Sequence, residues 1–534
     1  MNEEAYIGID VGSGSVRAGI FTATGDRLAF AVHPISQFQG EGDCVEQSSA
    51  EIWQATGAAV RESLRAAGID PARIRGIGFD ATCSLVAVAA DGAGVSVSPQ
   101  GQAERDIIMW RDHRAQEEAR EINRTGDEAL RYVGGEVSVE MQLPKILWLK
   151  RHLPDRYQQI WRLFDLADYL VWRACGQDVA STCTLTCKWN YLAHEQRFSA
   201  SLLRAIGLEA LGEKIPATVR DPGEKAGTLR PDIAREWGLS ESVVVATGII
   251  DAHAGGLSLS GSQPQGSLAI ISGTSNCHMI LSKQPVLIPG VWGPYWGAML
   301  PRWWLNEGGQ SAAGALVEWT LSQHACWATL RQAAKAQGES AYHLLNQRVQ
   351  QLEAAERWPT RHLHVLDDHH GNRSPRANPQ ARGAIYGLTL EEGEAGLARL
   401  YLATLQAIAY GTRHIIDAMR AAGHDISRIV ICGGATKNPL WLREYANATG
   451  CDIYLAREED AVTLGAALLG AVACGGFPSL TDAVAAMSHH GKTVAADRSA
   501  QTHAFHQAKY QVYLQMYDDQ QRAQQRYNAI MNNA

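Results

Sequence analysis

The stretch Tyr6-Ile7-Gly8-Ile9-Asp10-Val11-Gly12-Ser13-Gly14-Ser15-Val16-Arg17-Ala18-Gly19-Ile20-Phe21 reads as a strand, a tight glycine turn and a second strand. Residues 6–10 and 16–21 carry the β-branched and aromatic side chains that suit a pleated surface. Gly12 and Gly14 are expected to supply turn conformations that a Cβ disfavours. The turn offers backbone N–H groups with Asp10, Ser13 and Ser15, a set that suits a phosphate chain and a divalent cation. Two other glycine motifs are excluded. A dinucleotide fingerprint needs a third glycine three residues after Gly14 and then a helix, whereas position 17 is Arg17 and a strand follows. A P-loop needs Gly-Lys-Ser/Thr entering a helix, and none occurs. On these residues alone an ordinary hairpin stays open.

A chain of 534 residues can bury a sizeable core and form two or more domains. Charged residues make up 19% and hydrophobic ones 46%, as in ordinary globular proteins. The net charge of −8, with no run of Lys or Arg, speaks against a nucleic-acid or anionic-membrane partner. No charged-then-apolar leader precedes the first strand, and residues 461–475 are too short and glycine-rich to span a bilayer. A cytoplasmic location is therefore expected. The ten cysteines lack metal spacing, since Cys183 and Cys187 are four apart and have no second pair. Most are expected to be buried small hydrophobes in a reducing compartment.

Farther along, Thr24-Gly25-Asp26 turns the chain into a third antiparallel strand. Ser48-Ser49-Ala50-Glu51 matches a capping box. Trp53, Gly57, Val60, Leu64 and Ala67 then form the buried stripe of a helix that Gly68 closes. Residues 74–79 make a buried strand whose polar end, Asp80-Ala81-Thr82-Cys83-Ser84, lies where open α/β sheets place ligands. The strand at residues 243–248 delivers Ile249-Ile250-Asp251-Ala252-His253. The opening theme then returns, with strands at 267–271 and 277–281 around Ser272-Gly273-Thr274-Ser275. Two related domains follow from this repeat, with a boundary near residues 256–266 and two turns able to face one cleft. Residues 429–432 make another strand, and a helix starts at Pro439, ends at Thr449 and is capped by Gly450. The Gly433-Gly434 loop between them would admit a flat ring or serve as a tight βα turn. A terminal helix from Ala500 shows no chemistry.

Taken together, these pieces resemble the FGGY family of carbohydrate kinases over roughly residues 5–490. The matching stretches are residues 8–18, Trp110-Arg111-Asp112-His113-Arg114-Ala115, Lys145-Ile146-Leu147-Trp148-Leu149, residues 248–253, residues 272–275, Glu307-Gly308-Gly309-Gln310-Ser311 and Gly433-Gly434-Ala435. Two departures are the spacing between Gly383 and Gln406, where Arg399 replaces the usual polar residue, and Asn378 in place of a common Asp. The resemblance implies an α/β fold of two actin-like (ribonuclease H-like) domains flanking a cleft. Residues 1–260 would hold sugar and catalytic base, 261–490 the nucleotide, and 491–534 a helical tail.

The same resemblance implies roles. Asp251 would be the base, and Asp10 would hold Mg²⁺. Gly12, Ser13, Ser15, Arg17, Gly273 and Thr274 would surround the phosphates of ATP. Gly314, Glu318, Gly434 and Asn438 would line the adenosine pocket. Thr82, Cys83 and Ser84 resemble the ribulose kinases, closest to the D-ribulose branch, rather than the Arg-Glu of glycerol kinases or the Met-His of xylulose kinases. Lys188 and Glu307 match sugar-contacting positions, although by themselves they read as a surface lysine and a helix-cap acid. The expected reaction is ATP-dependent phosphorylation of D-ribulose to the 5-phosphate. Another pentulose (L-ribulose, D-xylulose), a pentitol such as ribitol, or an actin- or chaperone-like ATPase are the alternatives. A small sugar and ATP would be the partners, with a homodimer left open.

Overall fold

Residues 4–532 are described by a computed structural model, and within them two seven-stranded sheets share one topology. In the first, β1 (Ala5–Val11), β2 (Ser15–Thr22) and β3 (Arg27–Pro34) run antiparallel. Three further strands, β4 (Ile74–Ala81), β5 (Lys225–Thr228) and β6 (Val244–Ala246), complete the order β5-β6-β4-β1-β2-β3. β4 is parallel to β1 and β6, β5 is antiparallel to β6, and Ile249–Ile250 adds a short parallel piece beside β4. The second sheet contains β7 (Gly266–Ser272), β8 (Asn276–Ser282), β9 (Trp304–Gln310), β10 (Ile426–Gly433), β11 (Asp452–Ala456) and β12 (His490–Val494). Its order, β9-β8-β7-β10-β11-β12, repeats the first with the same strand directions, and Trp292–Trp296 adds an edge beyond β9.

Both hairpins lie within one residue of the sequence reading. In the helix Ser49–Ala67 the Ser48 hydroxyl accepts from the Glu51 N–H at 3.3 Å, and Gly68 ends the helix with φ 60°. Only half of the capping box forms, because the Glu51 carboxylate accepts from Ser36 instead. The strand read at 243–248 is shorter: Thr247 bonds out to Glu224 and Gly223, so the chain leaves the sheet before Ile249. The expectation for Gly12 and Gly14 is corrected. Neither is among the residues with left-handed φ, and an added Cβ would meet only ordinary contacts, at 3.6 and 3.8 Å.

The constrained glycines lie elsewhere. The helix Ala461–Ala473 belongs in sequence to the second half, yet it packs on β1 and β4 of the first sheet. A Cβ on Gly8 would sit 2.0 Å from the Thr463 carbonyl, and one on Gly78 would sit 1.9 Å from that of Ala466. Gly465 presses on the Ala254 carbonyl in the same way, at 2.1 Å. These contacts hold backbone against backbone and fix the helix Asp251–Ser260 to the sheet edge where the acids lie. A five-stranded sheet containing Leu85–Ala89 stands beside the first, so residues 82–84 bridge two sheets. The terminal helix Ala500–Met531 buries Tyr510, Tyr513 and Met516 in the core of the second half.

Candidate active site

β1 and β4 run parallel with Asp10 opposite Asp80, and Ile249 pairs with Asp80 from the other side. Asp10 is 2% exposed and Asp80 is fully buried. Arg17, opposite Asp10 across the hairpin, donates from Nη1 to Asp10 Oδ2 at 2.9 Å. Among the described residues no N–H or hydroxyl donates to either oxygen of Asp80, whose carboxyl faces that of Asp10. Burial pushes the Asp10 carboxyl up to about 7 against the pull of Arg17. Burial and the neighbouring Asp10 push Asp80 well above the usual carboxylate range. Two buried carboxyls side by side resist joint ionisation, and orphaned oxygens beside a second carboxylate are the donor set a hard divalent cation takes.

Asp251 opens the helix Asp251–Ser260 directly after Ile249–Ile250, half-buried, with Oδ1 accepting from the Ala252 N–H at 2.7 Å. Burial raises its pKa against the Ala252 N–H, His253 and Lys188. His253 Nε2 lies 2.8 Å from Oε2 of Glu307 on β9. Burial works against the Glu307 carboxylate, but the His253 hydrogen bond and the charges of His253, Lys188 and Arg373 hold it down at about 2. Lys188 ends the helix Thr182–Lys188 with Nζ 4.6 Å from the centre of the Trp292 ring. Burial opposes its charge, yet Cys83, Glu307, Glu140 and Cys187 outweigh burial and raise its pKa. At 5% and 6% exposure, Lys188 and Glu307 are neither a surface lysine nor a helix cap.

The Thr82–Ser84 loop is held from behind. Thr82 Oγ1 and Ser84 Oγ are 3.3 Å apart, Ser84 Oγ accepts from the Trp110 N–H, and the Cys83 carbonyl accepts from Gln142 Nε2. Burial pushes the Cys83 thiol up to about 12, against Lys188. Trp110 in turn donates from Nε1 to Ser13 Oγ at 2.9 Å, tying this loop to the first turn. Its own segment is anchored by Arg114, which bonds Asp112 and Glu46 in a buried ion cluster.

The turn residues divide between the two hairpins. Gly12 N–H bonds the Ser15 carbonyl at 3.0 Å, and Gly273 N–H bonds that of Ser275 at 2.9 Å. Gly273 and Thr274 are exposed, and the helix Gly314–Ser322 docks on their carbonyls through the N–H groups of Ala313, Gly314 and Ala315. Gly314 permits that approach, since a Cβ there would be 2.7 Å from the Gly273 carbonyl. Glu318 is exposed on the same helix and accepts from Tyr342 Oη. Gly434 is exposed at the start of the single turn Gly434–Lys437, next to Gly433, whose φ of 95° brings it against the Ser272 carbonyl. This loop is a tight βα turn. The Asn438 amide is buried: Oδ1 accepts from Leu440 N, Trp441 N and Asn346, and Nδ2 donates to Tyr401. It caps the helix Pro439–Thr449.

The sequence reading did not assign Asp80, His253, Glu140 or Arg373. The first had a signal: Gly78-Phe79-Asp80 repeats Gly8-Ile9-Asp10 at the end of a paired strand. Arg373 had none. It reaches the site from a loop and lies over Trp292, 5.6 Å from the ring centre. With His113 and Lys188 it holds the otherwise burial-raised Glu140 carboxyl down at about 2. No helix among the described residues is long and apolar enough to cross a membrane.

Comparison with known proteins converges on one group. The sequence model "FGGY family of carbohydrate kinases, N-terminal domain" matches residues 5–258, and its C-terminal counterpart matches residues 268–474. A human FGGY carbohydrate kinase domain-containing protein is 44% identical, with 99% of this chain and 98% of that protein covered. A D-ribulokinase of Saccharomyces cerevisiae is 38% identical, covering 88% of this chain and 72% of the yeast protein. The crystal structure of a xylulose kinase from Rhodospirillum rubrum superposes with a TM-score of 0.80 at 21% identity, covering 97% and 99% of the two chains. That likeness shows the shared fold.

Proposed function

Because this chain belongs to the FGGY family of carbohydrate kinases, and so is an ATP-dependent sugar kinase, we propose that its substrate is a pentulose, D-ribulose, and its product D-ribulose 5-phosphate. The observation that carries the reading is Asp251 standing half-buried at a helix start, within the electrostatic reach of Lys188 and Glu307. The 38% identity to a D-ribulokinase supports the choice of sugar. Small side chains at Thr82, Cys83 and Ser84 leave room for a five-carbon ketose where larger pairs would fill the space. Lys188, whose Nζ has no hydrogen-bond acceptor among the described residues, would donate to a sugar oxygen, and Glu307 would accept from a hydroxyl.

In this reading Asp251 accepts the proton of the terminal hydroxyl as that oxygen forms its bond to the γ-phosphorus and the bond to the β-phosphate oxygen breaks. The burial that raises the Asp251 pKa strengthens it as a base. Phosphoryl transfer needs little covalent help, so the remaining task is positioning and charge neutralisation. Ser13, Ser15, Thr274 and the side-chain-free backbone at Gly12 and Gly273 would surround the phosphates. Arg17 would act beside them while paired to Asp10. Gly314, Glu318 and Gly434 would border the adenosine. Asp10 and Asp80 would hold Mg²⁺, which when bound neutralises phosphate charge. Residues 1–260 would thus supply the base, the metal ligands, most sugar contacts and one phosphate turn, residues 261–490 Glu307, the second phosphate turn and the adenosine contacts, and residues 491–534 a buttress.

The test is ADP release over D-ribulose, L-ribulose, D-xylulose, ribitol and glycerol, with the phosphorylated carbon assigned by NMR. D-ribulose should give the highest kcat/KM. A higher value for D-xylulose or glycerol overturns the sugar assignment, and ATP turnover independent of any sugar would favour a nucleotide-driven ATPase.

A further inference from the structure

Beneath the sugar-facing groups lies a buried triad whose chemistry the phosphoryl transfer does not use. The helix Thr182–Lys188 presents Cys183 and Cys187 one turn apart on one face. The helix Asp251–Ser260 brings His253 against them, with Nδ1 3.3 Å from Cys183 Sγ and 3.9 Å from Cys187 Sγ. The three ligand atoms all lie within 4.8 Å of one another, and the residues are 0%, 0% and 1% exposed. Around a tetrahedral zinc ion, with Zn–S about 2.3 Å and Zn–N about 2.0 Å, sulfur and nitrogen ligands stand about 3.5–3.8 Å apart. The two sulfur–nitrogen distances differ from that by a few tenths of an ångström.

The imidazole is also oriented for the purpose. Nε2 meets the Glu307 carboxylate at 2.8 Å, which favours a proton on Nε2 and, in the neutral ring that a metal takes, leaves Nδ1 facing the two sulfurs. A carboxylate behind a histidine is the usual backing of a zinc ligand. The simpler account is a thiol donating to Nδ1. Without metal the same groups hold one another, Cys187 S–H to the Cys183 sulfur and Cys183 to Nδ1, and a bound ion replaces the shared protons.

We propose that Cys183 Sγ, Cys187 Sγ and His253 Nδ1 form a site for one zinc-class divalent ion, separate from the oxygen donors of Asp10 and Asp80. Thiolate and imidazole select zinc or cobalt, whereas carboxylates select magnesium, so the two sites are chemically partitioned. Binding releases the thiol protons as the two sulfur–metal bonds form. The ion pins the helix that begins with Asp251 to the helix that ends with Lys188, so both side chains are referenced to one point.

Cobalt is the probe. Chelator-stripped, reduced full-length protein titrated with Co²⁺ should take up one ion per chain and develop thiolate-to-cobalt charge-transfer absorption with tetrahedral d–d bands. Millimolar Mg²⁺ should leave the spectrum unchanged, and Zn²⁺ should bleach it. The variant carrying both Cys183→Ser and Cys187→Ser should lose the bands and one equivalent of cobalt. If that variant does not fold, Cys187→Ser alone should lose about half of the charge-transfer intensity, because one of the two thiolates is gone. Glu307→Gln should weaken cobalt about 10–100-fold. Absence of stoichiometric cobalt, bands of undiminished intensity in the cysteine variants, or displacement by Mg²⁺ would each overturn the assignment.

Discussion

The two sheets have the same strand order and directions, and each central hairpin turns through three residues after a small-residue signal. They differ at the mouth. Counting back from the last hairpin pair, Val11–Val16 in one and Ser272–Asn276 in the other, Asp10 corresponds to Ile271. The parallel neighbours are Asp80 and Cys432, respectively. One half therefore buries two carboxyls where the other sets a half-buried aliphatic chain and a buried thiol. Burying two adjacent carboxyls with one arginine between them is costly, and the fold does not require it, since the second copy forms without them. The acids in the first half mark chemistry, while the second half keeps the frame and offers the exposed turn residues Gly273 and Thr274.

The largest test of this asymmetry is Asp251→Asn. It removes the proton acceptor of the acidic half, and kcat is expected to fall on the order of 10²–10⁴-fold with sugar affinity within a few-fold. Near-normal turnover would remove Asp251 from the mechanism. Next, Asp80→Asn should raise the Mg²⁺ needed for half-maximal rate by about 10–100-fold. Its counterpart Cys432→Ala should leave the metal titration unchanged and lower stability by about 1 kcal/mol in a melt. If both variants shift the metal titration alike, the two mouths are not chemically distinct. Lys188→Met should then raise the KM for D-ribulose by about tenfold, the size of one hydrogen bond to a charged group, with kcat less affected. An unchanged KM would take Lys188 out of the sugar site.

Two smaller effects separate frame from chemistry. In the second half, Lys509 Nζ donates to the carbonyls of Thr360 and Leu363, and burial lowers its pKa to about 7. The unfolded lysine titrates near ~10.4, so between these values the unfolded chain binds more protons. Stability contributed by this site should therefore rise as the pH climbs through that window. Lys509→Met should flatten the rise, as thermal melts at pH 7 and 10 would reveal. Finally, Gly12→Ala should change stability by no more than about 0.5 kcal/mol, because its backbone asks for no glycine, while raising the KM for ATP. Gly433→Ala, at φ 95° and facing the Ser272 carbonyl at 2.1 Å, should unfold at a markedly lower temperature. Equal melting temperatures would refute this division of roles among the glycines.

Local signals made much of the frame readable in advance. The β-branched hairpins, the Ser48 and Gly68 caps and the Pro439–Thr449 helix all depend on neighbours within a few residues, and the structure reproduces them. Motif resemblance brought Asp251, Lys188 and Glu307 to notice, although neither burial of the last two is visible in their own neighbourhoods. What escaped depends on register and on loops. The pairing of Asp80 with Asp10 appears only when β4 is set beside β1. Arg373 arrives from more than sixty residues beyond the strand that carries Glu307 and has no local pattern. The Cys183–Cys187 pair lacked metal spacing in the chain, and its third ligand comes from a different helix. The reading of Gly12 and Gly14 erred because a glycine in a turn suggests unusual dihedrals, whereas here it leaves the turn without side chains.

The helix Ala461–Ala473 bears on how the two halves can move. Gly8, Gly76 and Gly78 set the backbone of this helix directly against the first sheet, so it travels with that sheet as one rigid piece. Any rotation of one half against the other then bends the chain at the ends of this helix, near Arg457–Asp460 and beyond Ala473, rather than along its length. Mechanically these thirteen residues belong to the half they do not follow in sequence. A chain cut near residue 260 would take the first sheet away from its own lid. The first fragment would then expose a bare backbone groove and the second the helix that fills it, so the halves should be recoverable together and not apart.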